Sequence, residues 1–115
     1  MKKFLWLVVI AAVLMFSVPV FSQNVATKSY NTTVTMTSAN TEYSWTIPNG
    51  VSSFTVRCRG AYAVKFSFTA GASGTTYFTV PSGFSYYETT VSSYENTLYM
   101  QCATASQVIE IIYWM

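Results

Sequence analysis

The two cysteines are the side chains of this chain with the most evident covalent chemistry. Cys58 lies in the alternating run FTVRCR (residues 54–59), Cys102 ends the similar run LYMQC (residues 98–102), and the 115 residues contain two cysteines in all. Both runs are typical of core β-strands. If the chain is exported, an even number of cysteines favours a Cys58–Cys102 disulfide, which would stabilise a small fold by up to about 4 kcal/mol. The alternative is a pair of buried free thiols.

Acid–base and metal chemistry have few candidate residues. The sequence contains no histidine, and its four acidic residues are all glutamates, so Ser/His and Cys/His nucleophilic pairs and most zinc sites are excluded. Glu88 and Glu95 could meet across a turn as the paired carboxylates of a glycosidase, but isolated glutamates in loops rich in serine and threonine are usually solvated. The glycines follow no phosphate-binding pattern. We therefore predict no catalytic residue, no metal and no cofactor, and a protein that is not an enzyme.

Two arginines lie close together in the sequence. Arg57 and Arg59 fall on the outward side of the run 54–59, and Lys65 is predicted on a neighbouring strand. One interpretation is a contact site for a small anion or a protein partner. The alternative is a set of solvated cations whose aliphatic stems cover apolar surface.

The aromatic residues divide into two groups. Five alternate with polar residues in the strand-like runs and are predicted to be core: Trp45, Phe54, Phe66, Phe68 and Phe78. Four tyrosines fall in turns or weak strands: Tyr62, Tyr86, Tyr87 and Tyr94. Tyrosine-rich loops provide contact area at a low cost in conformational entropy. These four side chains could contact a sugar or a protein, or could equally cover the open ends of the fold.

The first residues resemble an export signal. Lys2 and Lys3 precede an apolar stretch over residues 4–16, Pro19 lies just beyond it, and Val20 and Ser22 are small residues at suitable positions for cleavage before residue 23. We predict a signal peptide over residues 1–22, with an uncleaved membrane anchor as the alternative. The mature protein would then be secreted, periplasmic or extracellular, with no membrane association.

Cleavage would also change the charge of the domain. The whole chain has six basic and four acidic residues and a formal net charge of +2. Removing Lys2 and Lys3 leaves four basic and four acidic residues, so the net charge becomes 0. Electrostatic binding to nucleic acid or to anionic lipid is therefore not expected.

The remaining sequence has the pattern of one all-β domain. Residues 23–29 are polar and predict a flexible lead, and residues 30–115 predict a single domain. Strands are predicted at residues 30–37, 41–47, 54–59, 64–70, 75–80, 85–91, 98–102 and 108–114. Seven or eight short strands separated by turns indicate a small antiparallel β-sandwich, either jelly-roll-like or Ig-like.

Four segments carry a resemblance to a known group. They are TIPNGVSSFTVRCR (46–59), SGTTYFTVPSG (73–83), TLYMQC (97–102) and QVIEIIYW (107–114). Their order resembles small phage-encoded β proteins that combine an IP-x-G turn, an F-T-x-x-x-R strand and a closing E-I-x-x-W strand. The resemblance covers about residues 43–114 and implies a virion-associated or accessory structural role, without catalytic residues. We expect that group to lack an export signal, so residues 1–22 depart from its pattern.

These observations lead to two functional hypotheses. The first is an exported, non-enzymatic β-sandwich with a structural or protein-interaction role at the cell envelope, or in an extracellular or virion-type assembly. It implies a protein partner or self-association. The alternative is a small carbohydrate-binding module that uses the loop tyrosines.

Overall fold

The computed structural model describes residues 28–91 and 96–115, so the predicted signal peptide (1–22), most of the predicted lead (23–29), Tyr94 and Glu95 lie outside the described residues. All eight predicted strands are present, with bounds that differ by a few residues. They are β1 (Ser29–Met36), β2 (Tyr43–Thr46), β3 (Ser53–Cys58), β4 (Val64–Ser67), β5 (Phe78–Val80), β6 (Ser85–Glu88), β7 (Thr97–Gln101) and β8 (Gln107–Trp114).

The strands form two antiparallel sheets of four strands each, in the orders β1-β8-β3-β6 and β2-β7-β4-β5. The pairs β1–β8, β2–β7, β3–β6 and β4–β5 show that the first four strands run back along the last four, like one long hairpin. The pairs β3–β8 and β4–β7 then join this ribbon into two sheets. This is the eight-stranded jelly-roll order, and it decides between the two predicted sandwiches, because an Ig-like fold groups its strands differently.

The core lies between the two sheets and follows directly from the alternation of the strands. Every second residue of β3, β7 and β8 points inward, and fully buried side chains come from both sheets: Met36, Phe54, Val56, Phe66, Leu98, Met100, Ile109 and Ile111. Burial of such a side chain typically stabilises the fold by about 1.5–3 kcal/mol. The predicted core aromatic residues Trp45, Phe54 and Phe66 are buried, and Phe78 packs against them.

Phe68 does not belong to this core, contrary to the prediction. It is 45% exposed and stacks on the partly buried Phe78, with ring centroids 6.2 Å apart. The alternation fails here because β4 ends at Ser67, which is itself buried. The chain then leaves the sheet, and the two-residue period no longer determines where a side chain points.

A turn at residues 48–50 connects β2 to β3. Gly50 adopts a φ of 87°, and the amide of Val51 donates to the carbonyl of Pro48 at 3.3 Å. Glycine takes positive φ without steric cost. The turn directs the chain from β2 in one sheet to β3 in the other.

The long β4–β5 loop folds back over the outer surface of the sheet β2-β7-β4-β5. Glu42 holds it there, because its carboxylate accepts hydrogen bonds from the amides of Gly71 at 2.8 Å and Ser73 at 3.0 Å and from the Ser73 hydroxyl. The Ser73 hydroxyl is also 3.4 Å from the side-chain oxygen of Gln101 on β7, and Ser73 is fully buried. Part of this sheet's outer surface is therefore covered by the chain itself.

Candidate functional site

Among the described residues, the core between the two sheets provides few groups that could bind a ligand. The buried residues are almost all apolar, with Ser67 and Ser73 as the polar exceptions within the part of the chain that the structure describes. In residues 28–91 and 96–115, no three His, Cys, Asp or Glu side chains come together as metal ligands. A candidate site must therefore be sought on the outside of the fold.

The outer surface of the sheet β1-β8-β3-β6 carries exposed large side chains. In one row across the sheet, Ile112 lies beside Thr55, and Thr55 lies beside Tyr87. Ile112 is 46% exposed and Tyr87 57% exposed. The ring of Tyr87 meets Trp114 edge-on, with centroids 6.3 Å apart and planes at 89°. Tyr87, Ile112 and the half-buried Trp114 form the apolar half of a surface that we call the exposed face.

The other half of the exposed face is ionic. Arg57 and Arg59 on and just after β3 both donate to Glu110 on β8: each Nε lies 2.8 Å from a different carboxylate oxygen. The two guanidinium groups, first that of Arg59, lower the pKa of Glu110 below its usual value of 4.5. The arginine side chains remain 63% and 59% exposed, so donors of both are available to a partner.

Two concavities that are open to solvent border the ionic half. One, of about 270 Å³, is lined by residues of β1, β3 and β8, among them Asn31, Thr33 and Thr55. The other, of about 340 Å³, lies toward the turns that contain Gly60 and Phe84. Arg57, Arg59 and Glu110 border both. Neither concavity is enclosed, and both lie beside exposed arginine side chains, so the exposed face is more suited to contact with a protein surface than to an enclosed small molecule.

Lys65 is not part of the exposed face, although the sequence suggested a strand next to the arginines. It lies on β4 in the opposite sheet, and its ammonium group sits over the ring of Tyr77, 4.5 Å from the centroid. Strands that are consecutive in the sequence need not be neighbours in space, and in this jelly roll β3 and β4 belong to different sheets.

The four predicted contact tyrosines do not form one group. Tyr87 belongs to the exposed face, Tyr62 is exposed in the turn that follows β3, and Tyr94 lies outside the described residues. Tyr86 points inward instead and packs against Phe78 and Phe54, with ring centroids 4.7 Å and 6.2 Å away. It is therefore not an exposed contact residue, because adjacent residues of a strand point to opposite faces.

Tyr86 and Glu88 form a hydrogen-bonded pair at the edge of the core. The Tyr86 hydroxyl donates to the Glu88 carboxylate at 2.5 Å, and the amides of Thr89 and Thr90 donate to its other oxygen. Burial, together with this carboxylate, raises the pKa of Tyr86 to about 12. The hydrogen bond from Tyr86 in turn lowers the pKa of Glu88. Glu88 thus has a structural role in the described residues, and its suggested partner Glu95 lies outside them.

The predicted Cys58–Cys102 disulfide is not formed in the structure: both cysteines are free thiols. The two runs FTVRCR and LYMQC are β3 and β7, which belong to opposite sheets rather than to one pair of strands. Each sulfur has separate neighbours. The Cys102 sulfur is 3.5 Å from the carbonyl of Ala63, and the Cys58 sulfur is 4.0 Å from the side chain of Gln107. Burial raises the pKa of the Cys58 thiol.

Sequence reasoning did not identify Ile112, Glu110 or Trp114 as parts of a site. Their alternation in QVIEIIYW placed them on the outward side of the last strand, and that signal was available. What the sequence did not provide was the position of β8 between β1 and β3, which places Glu110 directly opposite Arg57.

No protein-family model matches the chain, and no curated protein matches it. Among solved structures, the chain is similar to one titled "Solution NMR structure of a de novo designed double-stranded beta-helix". The identity is 16%, the alignment covers 76% of this chain and 99% of that one, and the TM-score is 0.48. The similarity carries no argument about function. In the described part of the chain, no helix is long and apolar enough to span a membrane.

Proposed function

We propose that this chain is an exported, non-enzymatic jelly-roll protein that contacts other protein molecules through its exposed face, at the cell envelope or in an extracellular or virion-type assembly. The observation that carries this proposal is the composition of that face. It combines exposed Tyr87 and Ile112 and the half-buried Trp114 with two arginines held by Glu110.

Tyrosine, tryptophan and arginine are the residue types most enriched at the energetic centres of protein interfaces. The exposed face places them within three adjacent strands, so a partner could cover the apolar and ionic halves together. The Glu110 carboxylate holds Arg57 and Arg59 in a defined orientation, which reduces the entropy that they would lose when a partner binds. A neutral domain has no long-range electrostatic attraction, so recognition would depend on this short-range surface.

A non-enzymatic role is supported by the residues themselves. The chain has no histidine. Three of its four glutamates are committed to contacts within the fold: Glu42 to the β4–β5 loop, Glu88 to Tyr86, and Glu110 to the two arginines. General acid–base catalysis needs a titratable group within reach of a substrate proton, and these three carboxylates already accept several hydrogen bonds.

Glycan binding is the alternative, with Tyr87 as the stacking residue and the arginine cluster as the hydrogen-bonding groups. The perpendicular arrangement of Tyr87 and Trp114 does not favour it, since the two rings do not form one flat platform on which successive sugar rings could stack.

A glycan array probed with purified residues 23–115, together with sedimentation analysis of the same protein, distinguishes the two. We expect no saturable glycan binding and a specific oligomer or protein complex. Saturable glycan binding that is lost in Tyr87→Ala but retained in Tyr77→Ala would contradict the proposal and support the alternative. Tyr77 is the matched control because it is an exposed tyrosine on the opposite side of the sandwich. The intact mass of the exported protein, expected to begin at Gln23, tests the export step.

A further inference from the structure

Strand β1 is a long edge strand. It has eight residues, and in the described part of the chain it pairs with β8 alone. The other three edge strands are shorter: β6 and β2 have four residues each and β5 has three. A long edge with unpaired backbone groups is a template for another strand, and proteins usually protect such edges with charges, prolines or bulges.

The edge of β1 has none of these protections. The sequence SYNTTVTM contains no charged residue and no proline, and its register with β8 runs without a bulge from Ser29 opposite Trp114 to Met36 opposite Gln107. Its outward side chains are Ser29, Asn31, Thr33 and Thr35, which are small, polar and neutral. Such an edge can accept another strand without burying an unpaired charge.

The direction of each backbone group in β1 follows from the hydrogen bonds at its start. Lys28 and Met115 exchange two backbone bonds, with N···O distances of 3.2 and 3.1 Å. Antiparallel pairs alternate between hydrogen-bonded and non-hydrogen-bonded positions, so the even-numbered residues of β1 direct their N–H and C=O groups to β8. The odd-numbered residues, from Ser29 to Thr35, therefore present four N–H and four C=O groups to the free edge.

We propose that β1 pairs antiparallel with β1 of a second copy of this chain, around a two-fold axis at Thr32. This inference deepens the proposed function, because it specifies one protein contact of the assembly. With the axis at Thr32, Asn31 lies opposite Thr33 of the second copy and Ser29 opposite Thr35. All four edge residues of each strand then take part, giving eight backbone hydrogen bonds across the interface. On the inner side, Tyr30 lies beside Val34 of the second copy, a favourable aromatic and β-branched pair.

A second copy fits this edge better than an unrelated strand for two reasons. First, the free N–H and C=O groups belong to the odd-numbered residues, and in a two-fold antiparallel pair these lie opposite odd-numbered residues of the second copy. Two-fold dimers are also the commonest closed assemblies. Second, the edge carries no charge, so it has no electrostatic preference for a charged strand of another protein. The pairing would extend the sheet to eight strands and place both exposed faces on the same side of the dimer.

Sedimentation velocity of residues 23–115 over a range of concentrations tests this pairing. The double variant Asn31→Lys/Thr33→Lys places lysines of the two copies opposite one another, while the bonds from β1 to β8 are untouched. We expect a wild-type dimer whose dissociation constant rises by about 100-fold or more in this variant. The control Ser44→Lys/Thr46→Lys adds the same charge to exposed positions of the edge strand β2 and should leave the dimer unchanged.

Cysteine cross-linking tests the register. In the dimer, Thr32 of one chain lies opposite Thr32 of the second chain at a non-hydrogen-bonded position. The Cα–Cα distance there is about 4.5 Å, which is within the range of a disulfide. The two Thr35 residues would be about 20 Å apart. Thr32→Cys should therefore form a covalent dimer under mild oxidation, while Thr35→Cys and the wild-type chain should not.

The outcomes separate this inference from the proposed function. A monomer at every concentration, or equal cross-linking of Thr32→Cys and Thr35→Cys, would overturn the β1 pairing. An oligomer that persists in Asn31→Lys/Thr33→Lys but is lost in Ile112→Lys would also overturn it, while supporting a protein contact through the exposed face.

Discussion

At the scale of single residues, Tyr86 and Tyr87 show how adjacent tyrosines acquire different roles. Tyr87 is exposed beside Trp114, whereas Tyr86 fills the edge of the core and donates to Glu88. The sequence predicted that both lie in a weak strand. It did not predict which of the two side chains points into the core. To assign the inward-pointing tyrosine, one needs the register of β6 with β3, in which Tyr86 lies opposite the buried Val56.

Replacing Tyr86 by phenylalanine removes its hydrogen bond to Glu88, and we expect the free energy of unfolding to fall by about 1 kcal/mol at pH 7. The pKa of Glu88 is lowered in the folded state. The stabilisation of the fold by its carboxylate is therefore fully present above pH 4.5 and is lost as the pH falls through the folded-state pKa. The pKa of Tyr86, raised from 10.0 to about 12, means that its contribution is present below pH 10 and is lost at higher pH.

The difference in stability between wild type and Tyr86→Phe should therefore be largest between about pH 5 and 10 and smaller at both extremes. Urea unfolding followed by tryptophan fluorescence at pH 3, 7 and 11 measures it. Tyr87→Phe is the control, since that side chain is 57% exposed. A difference that does not change with pH would contradict the account of this pair.

The cysteines give a second prediction at this scale. Cys102 is 2% exposed and Cys58 is partly buried with a raised pKa, so neither thiol should react rapidly with a maleimide in the folded protein. After denaturation without reductant, mass spectrometry should find two labels on each chain. If the chain is purified from an oxidising compartment and takes up no label, the two thiols are not free. That result would contradict this prediction and indicate a Cys58–Cys102 disulfide.

At the scale of elements, the sequence predicted the strands well because most runs had a clear two-residue period and were bounded by turn residues, although the pattern of residues 85–91 was weaker. The alternation also predicted most of the core, including Phe54, Phe66 and Trp45. It did not predict which strands are neighbours. The cluster of Arg57, Arg59 and Glu110 depends on β3 and β8 lying side by side, although they are far apart in the sequence. Local periodicity carries no information about such long-range pairing.

The β4–β5 loop allows a prediction at the same scale. Glu42→Ala removes the acceptor for the amides of Gly71 and Ser73, so the loop should detach from the sheet at a cost of about 1 kcal/mol. Hydrogen exchange followed by mass spectrometry should then show faster exchange in residues 68–77. Glu110→Gln, which alters the other carboxylate-centred cluster, should leave exchange in this loop unchanged. Unaltered protection of the loop in Glu42→Ala would contradict its assigned role.

At the scale of the whole molecule, the fold separates a covered side from an exposed one. The sheet β2-β7-β4-β5 is partly covered by its own loop, whereas the sheet β1-β8-β3-β6 has an exposed face and the long free edge of β1. Both features lie on one sheet, so a β1-paired dimer would present two exposed faces side by side. The sequence predicted a two-sheet sandwich but not this asymmetry, because the loop and the strand order create it together.

The central claim is that the exposed face is a protein-contact surface, and site-specific photo-cross-linking in the cells that produce the protein tests it most directly. A benzophenone amino acid at position 87 should give a discrete protein adduct upon irradiation, and Ile112→Lys should abolish that adduct. The same probe at position 77, an exposed tyrosine just before β5 of the opposite sheet, should give none. Equal adducts from positions 87 and 77, or no adduct from position 87, would contradict the claim.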